Sequence, residues 1–177
     1  YDEVISNKAT NVLEFGTGFG YVTSALAMGV RDTPRPVLPR YSSVVNTYDS
    51  YKSNQIWQIA DNNLDRVKNH LNSYNLGNYV ELHQVGRVFD WFDTPHKFDM
   101  CFIDIDNDGD KLSEIFNHPI IRESVENGVS IYFCGGSKVR DEINVRRNEK
   151  PITEVDCEIE CVYGYTEKNC ISKVIGY

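Results

Sequence analysis

The sequence has no apolar run that approaches the roughly 20 residues a membrane-spanning helix needs. It is short of cations: 18 Lys and Arg against 26 Asp and Glu leave a net charge of −8. That argues against broad binding to a phosphate backbone, where clustered basic residues supply most of the non-specific affinity. A local basic patch remains compatible with the total. No C-x-x-C pair occurs among Cys101, Cys134, Cys157, Cys161 and Cys170. No histidine pair or second cysteine pair completes a zinc set around Cys157 and Cys161. Cys101 and Cys134 sit inside apolar runs, where a reduced, buried thiol is expected, and the odd count points the same way. The expectation is a reducing, cytoplasmic compartment. Twelve glycines and six prolines are too few for a collagen-like or disordered chain. The chain opens on Tyr1 without a charged-then-apolar leader, so it is expected to be trimmed or excised from something larger.

What is present is an average globular composition, 41% hydrophobic and 25% charged over 177 residues, enough for a single domain spanning 1–177. Short apolar runs alternate with helical patterns, the signature of parallel βαβ units. Strands are predicted over residues 11–15, 43–48, 79–85, 98–105 and 129–134. Residues 158–165 and 170–177 read as a closing hairpin. A helix is predicted over 21–28 and stops near Gly29, followed by a proline-rich loop over 31–40. From 54 to 74 the apolar positions Ile56, Ile59, Ala60, Leu64, Val67, Leu71 and Tyr74 share one helical face. Residues 111–126 are compatible with a helix, and 140–150 with a surface helix or loop. The sum is a three-layer α/β fold with seven strands.

Glu14-Phe15-Gly16-Thr17-Gly18-Phe19-Gly20 closes the first strand. Closely spaced glycines adopt positive φ without a Cβ clash and let backbone approach a ligand. A dinucleotide fingerprint, G-x-G-x-x-G, would place its third glycine at Tyr21. The pattern is instead acidic-x-G-x-G-x-G. A merely tight β-to-α turn needs the same glycines and no ligand.

This segment resembles the first motif of class I S-adenosylmethionine-dependent methyltransferases, and later segments follow in that family's order over nearly the whole chain. The resemblance implies a Rossmann-like methyltransferase fold, a mostly parallel seven-stranded sheet with a C-terminal antiparallel hairpin, and S-adenosylmethionine as cofactor. It implies that Gly16, Thr17, Gly18 and Gly20 approach the amino acid part of the cofactor, with Glu14 holding its ammonium through water. The family's next marker is an acid after the second strand that binds both ribose hydroxyls, and Asp49 stands there. A carboxylate suits two vicinal donors; a helix cap is the competing role, and Tyr48 or Ser50 replaces Asp49 if the register slips. After the third strand, Gly86-Arg87 stands where the family has glycine and an acid near the adenine. The missing acid leaves that contact to Gly86, a backbone amide and apolar walls such as Val88 or Phe89.

Phe102-Ile103-Asp104-Ile105-Asp106 resembles the fourth-strand segment of small-molecule O-methyltransferases. Asp104 and Asp106 are therefore the candidate catalytic residues, one orienting or deprotonating a substrate hydroxyl. Two acids capping a helix is the alternative. The run to Asp108-Gly109 mimics a calcium loop, but its twelfth position is Ile115 rather than glutamate. Catechol-type members hold a divalent metal partly through an Asp-Asn pair after the fifth strand. Here Cys134-Gly135-Gly136-Ser137 follows it, so no metal site is expected. The histidines His70, His83, His96 and His118 have no ligand spacing. The expected partner is a small-molecule acceptor, with a substrate lid that is missing or supplied by a second copy or another subunit. Two alternatives stand beside this reading. One is an RNA 2′-O-methyltransferase using Lys8, Asp104 or Asp106, Lys138 and Glu160. The other is a non-catalytic adenosyl-binding subunit.

Overall fold

The computed structural model describes residues 1–34, 44–51, 63–86, 88–93, 97–105, 108–164 and 166–177. Seven strands form one sheet in the order β3-β2-β1-β4-β5-β7-β6. They are β1 (Asn11–Phe15), β2 (Val44–Asp49), β3 (Val80–Gln84), β4 (Met100–Ile103), β5 (Ser130–Cys134), β6 (Glu158–Tyr163) and β7 (Ile171–Gly176). β1, β2 and β3 pair in parallel, whereas β7 runs antiparallel to both β5 and β6. The sheet and its closing hairpin are those the sequence predicts. Two compact units, Tyr1–Met100 and Cys101–Tyr177, divide the chain.

In the first unit, β1 is buried from Val12 through Phe15, as a central parallel strand requires. Its register sets Glu14 beside Thr47 and Phe15 beside Tyr48. Two elements depart from expectation. A short helix, α1 (Asp2–Ser6), precedes β1, and its Val4 is fully buried. The helix α2 (Tyr21–Asp32) runs past Gly29 and takes in Arg31 and Asp32. The reason is packing: a Cβ on Gly29 would lie 2.7 Å from Val4 Cβ, so this glycine admits α1 rather than ending α2. The third helix, α3 (Asn63–Ser73), buries Val67 and Leu71 from the predicted face; the expected turns over 54–62 and most of the 31–40 loop lie outside the described residues. Trp91, 1% exposed and carried by the 3-10 turn that follows β3 in the chain, meets Phe15 edge-on and also contacts Phe92 and Phe98.

In the second unit, the single helix expected over 111–126 is two, α4 (Gly109–Phe116) and α5 (Pro119–Glu126). Pro119 lacks an N–H and cannot continue a helix, but it suits the first position of the next. His118 caps that start, its Nδ1 accepting from Ile120 N–H. The charged stretch after β5 is a helix, α6 (Lys138–Arg146), capped by Ser137, whose hydroxyl oxygen accepts from Arg140 N–H at 3.1 Å. No helix among the described residues is long and apolar enough to cross a membrane.

Candidate functional site

The end of β1 turns through three glycines with positive φ: Gly16 (+94°), Gly18 (+52°) and Gly20 (+81°). Gly16 N–H donates to Tyr48 O at 2.9 Å, carrying the β1–β2 pairing one step beyond the strand. A Cβ built on Gly18 would meet nothing within 4 Å among the described residues, which leave open space on that side. At Gly20 the reason for glycine differs, because a Cβ there would lie 3.1 Å from Val67 of α3.

Asp49 closes β2 beside this turn. Its Oδ2 accepts from Gly18 N–H and its Oδ1 from Tyr51 N–H, both at 2.9 Å. Hydrogen bonds to a charged acceptor contribute about 1.5–3 kcal/mol each. The carboxylate therefore ties the two loops together. With about four acceptor positions on a carboxylate, each oxygen keeps one for a further donor. The alternative Tyr48 is excluded by burial: it is 5% exposed, stacks on His83 with centroids 4.3 Å apart, and burial pushes its pKa up to about 12.

Of the remaining predicted residues of this unit, Glu14 and Thr17 take inner positions and Gly86 does not. Glu14 is fully buried, and Thr23 of α2 donates to its Oε2 at 2.6 Å. Thr17 is 3% exposed; its hydroxyl shares hydrogen bonds with Thr47 Oγ1 at 2.6 Å and Tyr51 OH at 3.0 Å. Tyr51 itself is buried and holds a left-handed φ of +49°, a conformation that costs a non-glycine residue about 1–2 kcal/mol. Gly86 is exposed, and a Cβ on it would lie 3.2 Å from Asp90 Oδ2. An acid does stand next to Gly86, then, four residues on rather than one, brought back by the 3-10 turn Val88–Asp93. Arg87 and His96 lie outside the described residues. Sequence reasoning missed Thr23, Thr47, Tyr51 and Asp90. Thr47 had a readable signal, standing two residues before Asp49 and so on the same strand face.

In the second unit, Asp104 follows β4 and has an exposed edge. The protein packed around it raises its pKa above the ordinary carboxylate value, while a hydrogen bond from the Cys134 thiol and the charge of Arg140 oppose the rise. Burial first, then the Asp104 charge and hydrogen bond, drive the Cys134 thiol far above its ordinary pKa. Cys134 therefore stays a protonated donor at neutral pH, not a nucleophile. Asp106 lies outside the described residues. Asp108 is the helix cap: its side chain accepts from Asp110 N–H at 3.0 Å at the start of α4. That capping role, offered for Asp104 or Asp106 as the alternative, is filled by a third acid. A cavity of about 580 Å³ runs along α6 past Lys138, Glu142, Val145 and Thr153; its described lining includes Lys138 of the RNA alternative but not Asp104.

Among the described residues of the second unit, Asp104 and Glu160 of the RNA alternative's tetrad do not meet. Glu160 stands on β6, the edge strand, opposite Lys173. Asp104 leaves β4, three strands away in the order β4-β5-β7-β6, which is about 14 Å at the usual inter-strand spacing.

No protein-family model and no curated protein sequence matches the chain. Solved structures do. The O-methyltransferase of Bacillus cereus, in complex with S-adenosylhomocysteine, aligns over 99% of this chain and 77% of its own, with a TM-score of 0.63 and 18% identity. TomG of Streptomyces achromogenes, an O-methyltransferase of tomaymycin synthesis bound to S-adenosylmethionine, aligns over 98% and 76%, with a TM-score of 0.62 and 18% identity. The chain has the Rossmann-like methyltransferase fold. That fold is also shared by the ribosomal protein L11 methylase of Lactobacillus delbrueckii subsp. bulgaricus, over 93% of this chain and 68% of its own, with a TM-score of 0.55 and 13% identity. Proteins named for quite different acceptors thus share the methyltransferase fold, and the acceptor must be argued from side chains.

Among the described residues, the turn has open space where a Cβ on Gly18 would project, and Asp49 beside it accepts one backbone bond on each carboxylate oxygen, chemistry that fits an adenosyl cofactor.

Proposed function

We propose that residues 1–177 form one S-adenosylmethionine-dependent methyltransferase domain that methylates a small-molecule acceptor at oxygen. The observation that carries this reading is the hydrogen bond from Gly18 N–H to Asp49 Oδ2, which joins the glycine turn to the β2 acid. S-adenosylmethionine, when bound, supplies an electrophilic methyl group on a sulfonium.

Gly16, Gly18 and Gly20 shape the turn that receives the amino acid part of the cofactor. Thr17 fixes that turn from inside through its hydroxyl network, and Glu14 supports it from beneath through Thr23. Asp49 accepts from the two ribose hydroxyls. Gly86, with Asp90 at its side, serves the adenine end. Asp104 takes the proton of the acceptor hydroxyl. Its raised pKa brings it closer to the acceptor's own, which favours general-base action. The Cys134 thiol donates to Asp104 and aims it.

Magnesium takes oxygen ligands in near-octahedral geometry, and a protonated thiol is a poor partner for so hard a cation. With Cys134 beside Asp104, transfer proceeds without a divalent ion. The test is a panel of phenolic and other hydroxylated small molecules incubated with methyl-labelled S-adenosylmethionine. Label in a small molecule, undiminished by EDTA, supports the reading. Loss of transfer on chelation, restored by magnesium, overturns its metal-free part. Label passing only to RNA, with affinity that falls steeply with salt, overturns the choice of acceptor.

A further inference from the structure

Asp49 is held from two sides, and the second holder has no place in the glycine motif. Tyr51 donates its backbone N–H to Asp49 Oδ1 at 2.9 Å. It does so from a left-handed backbone, φ +49°, which a residue with a Cβ avoids unless its surroundings impose it. Two features impose it. The ring is buried, 5% exposed, and its hydroxyl lies 3.0 Å from Thr17 Oγ1, which in turn lies 2.6 Å from Thr47 Oγ1. The contacts close a cycle. Thr17 adjoins Gly18, Gly18 N–H holds Asp49 Oδ2, Asp49 Oδ1 holds Tyr51 N–H, and the Tyr51 hydroxyl returns to Thr17.

From this cycle we infer that Tyr51 is a positioning residue: it fixes the rotation of the Asp49 carboxylate so that its two outer acceptor positions match a vicinal cis-diol, and so sets selectivity for a ribonucleoside over its 2′-deoxy form. The inference rests on the cofactor reading given above. A carboxylate held by one amide turns about its Cβ–Cγ bond; held by two, one on each oxygen, it does not. The bond from Tyr51 N–H closes an Asx turn whose shape is set by residues 49 and 50. Burial of the Tyr51 ring and its hydroxyl bond to Thr17 anchor the far end of that turn and so hold the amide against Oδ1.

The test compares S-adenosylhomocysteine with its 2′-deoxy counterpart by calorimetric titration of the full chain. Loss of one hydrogen bond to a charged acceptor corresponds to about tenfold or more in affinity, so the parent protein is expected to prefer the ribose form by about that factor. In Tyr51→Phe the preference falls to about twofold or less, while affinity for the 2′-deoxy ligand and the melting temperature stay near parental. Tyr51→Leu removes the same bond while keeping an apolar side chain in the buried place, lowers the preference likewise, and covers the case where one variant fails to fold. A parental preference in the folded variants overturns the inference and leaves the cofactor reading standing, as does an equal loss of affinity for both ligands, the mark of a packing role alone. A parent that binds neither ligand overturns both.

Discussion

The two units hold their candidate chemistry in different ways. In the first, the working parts are backbone: a turn with three positive-φ glycines and two amides on one carboxylate. In the second they are side chains: Asp104 with the Cys134 thiol and Arg140, and Asp141, which anchors Ile152 and Thr153 by accepting from both amides. A backbone site is specified by the absence of side chains, so it tolerates little addition. A side-chain site is specified by titration and packing, so it responds to pH and to the loss of single groups.

The sharpest way to break this contrast is Gly18→Val. A Cβ there meets nothing within 4 Å among the described residues, so folding bears mainly the left-handed strain, about 1–2 kcal/mol. The added side chain instead fills the space proposed for the ligand. S-adenosylhomocysteine binding is expected to become undetectable by calorimetry while far-UV circular dichroism shows a folded protein. Next is Asp104→Asn, expected to lower kcat by about 100-fold in the transfer assay, with cofactor affinity unchanged.

The same variant carries a pH signature. The pKa of Asp104 is raised by partial burial, so the folded protein holds this proton more tightly than the unfolded chain. Its stabilising contribution is present at low pH and lost as pH rises through the folded pKa. Asp104→Asn should therefore melt above the parent at pH 7 and show no advantage near pH 3, below the ordinary aspartate pKa of about 3.9. Thermal scans across that range measure it.

Glycine substitutions sharpen the comparison within one residue type. A Cβ on Gly109 would lie 2.5 Å from Pro151 O and 2.9 Å from Lys150 O, both backbone atoms. Overpacking of this kind costs about 1–3 kcal/mol, and Gly109→Ala should show it in urea unfolding at unchanged ligand affinity. The smallest effect is expected at His118, whose pKa is lowered by burial and whose unprotonated Nδ1 caps α5. A depressed histidine stabilises above its unfolded pKa, about 6.5, and that contribution is lost as pH falls through the folded value. His118→Asn, a good cap at any pH, should flatten the melting temperature between pH 7 and pH 5.

How legible each part was follows from the same contrast. The glycine turn, the place of Asp49 at the end of β2 and the succession of strands from β1 to the hairpin were readable because they rest on local pattern: glycine spacing, apolar runs, an acid at a strand end. Gly29 misled, because its reason is a contact with Val4, 25 residues away, which no local pattern records. Pro119 held the break between α4 and α5 in plain view within the helix-compatible stretch 111–126. Tyr51 and Asp90 were invisible for a different reason. Their relevance comes from where the backbone sends them, a left-handed turn in one case and a 3-10 turn in the other. The pairing of Asp104 with Cys134 needed the strand ends to be placed side by side before either residue explained the other.

The central claim is that the Gly18–Asp49 junction receives the adenosyl cofactor, and titration of S-adenosylhomocysteine into the parent protein and Asp49→Asn tests it most directly. The account predicts saturable one-to-one binding by the parent and a loss of at least about tenfold in Asp49→Asn, the worth of a hydrogen bond to a charged acceptor. No binding by the parent at millimolar ligand, or equal affinity in the variant, would contradict it.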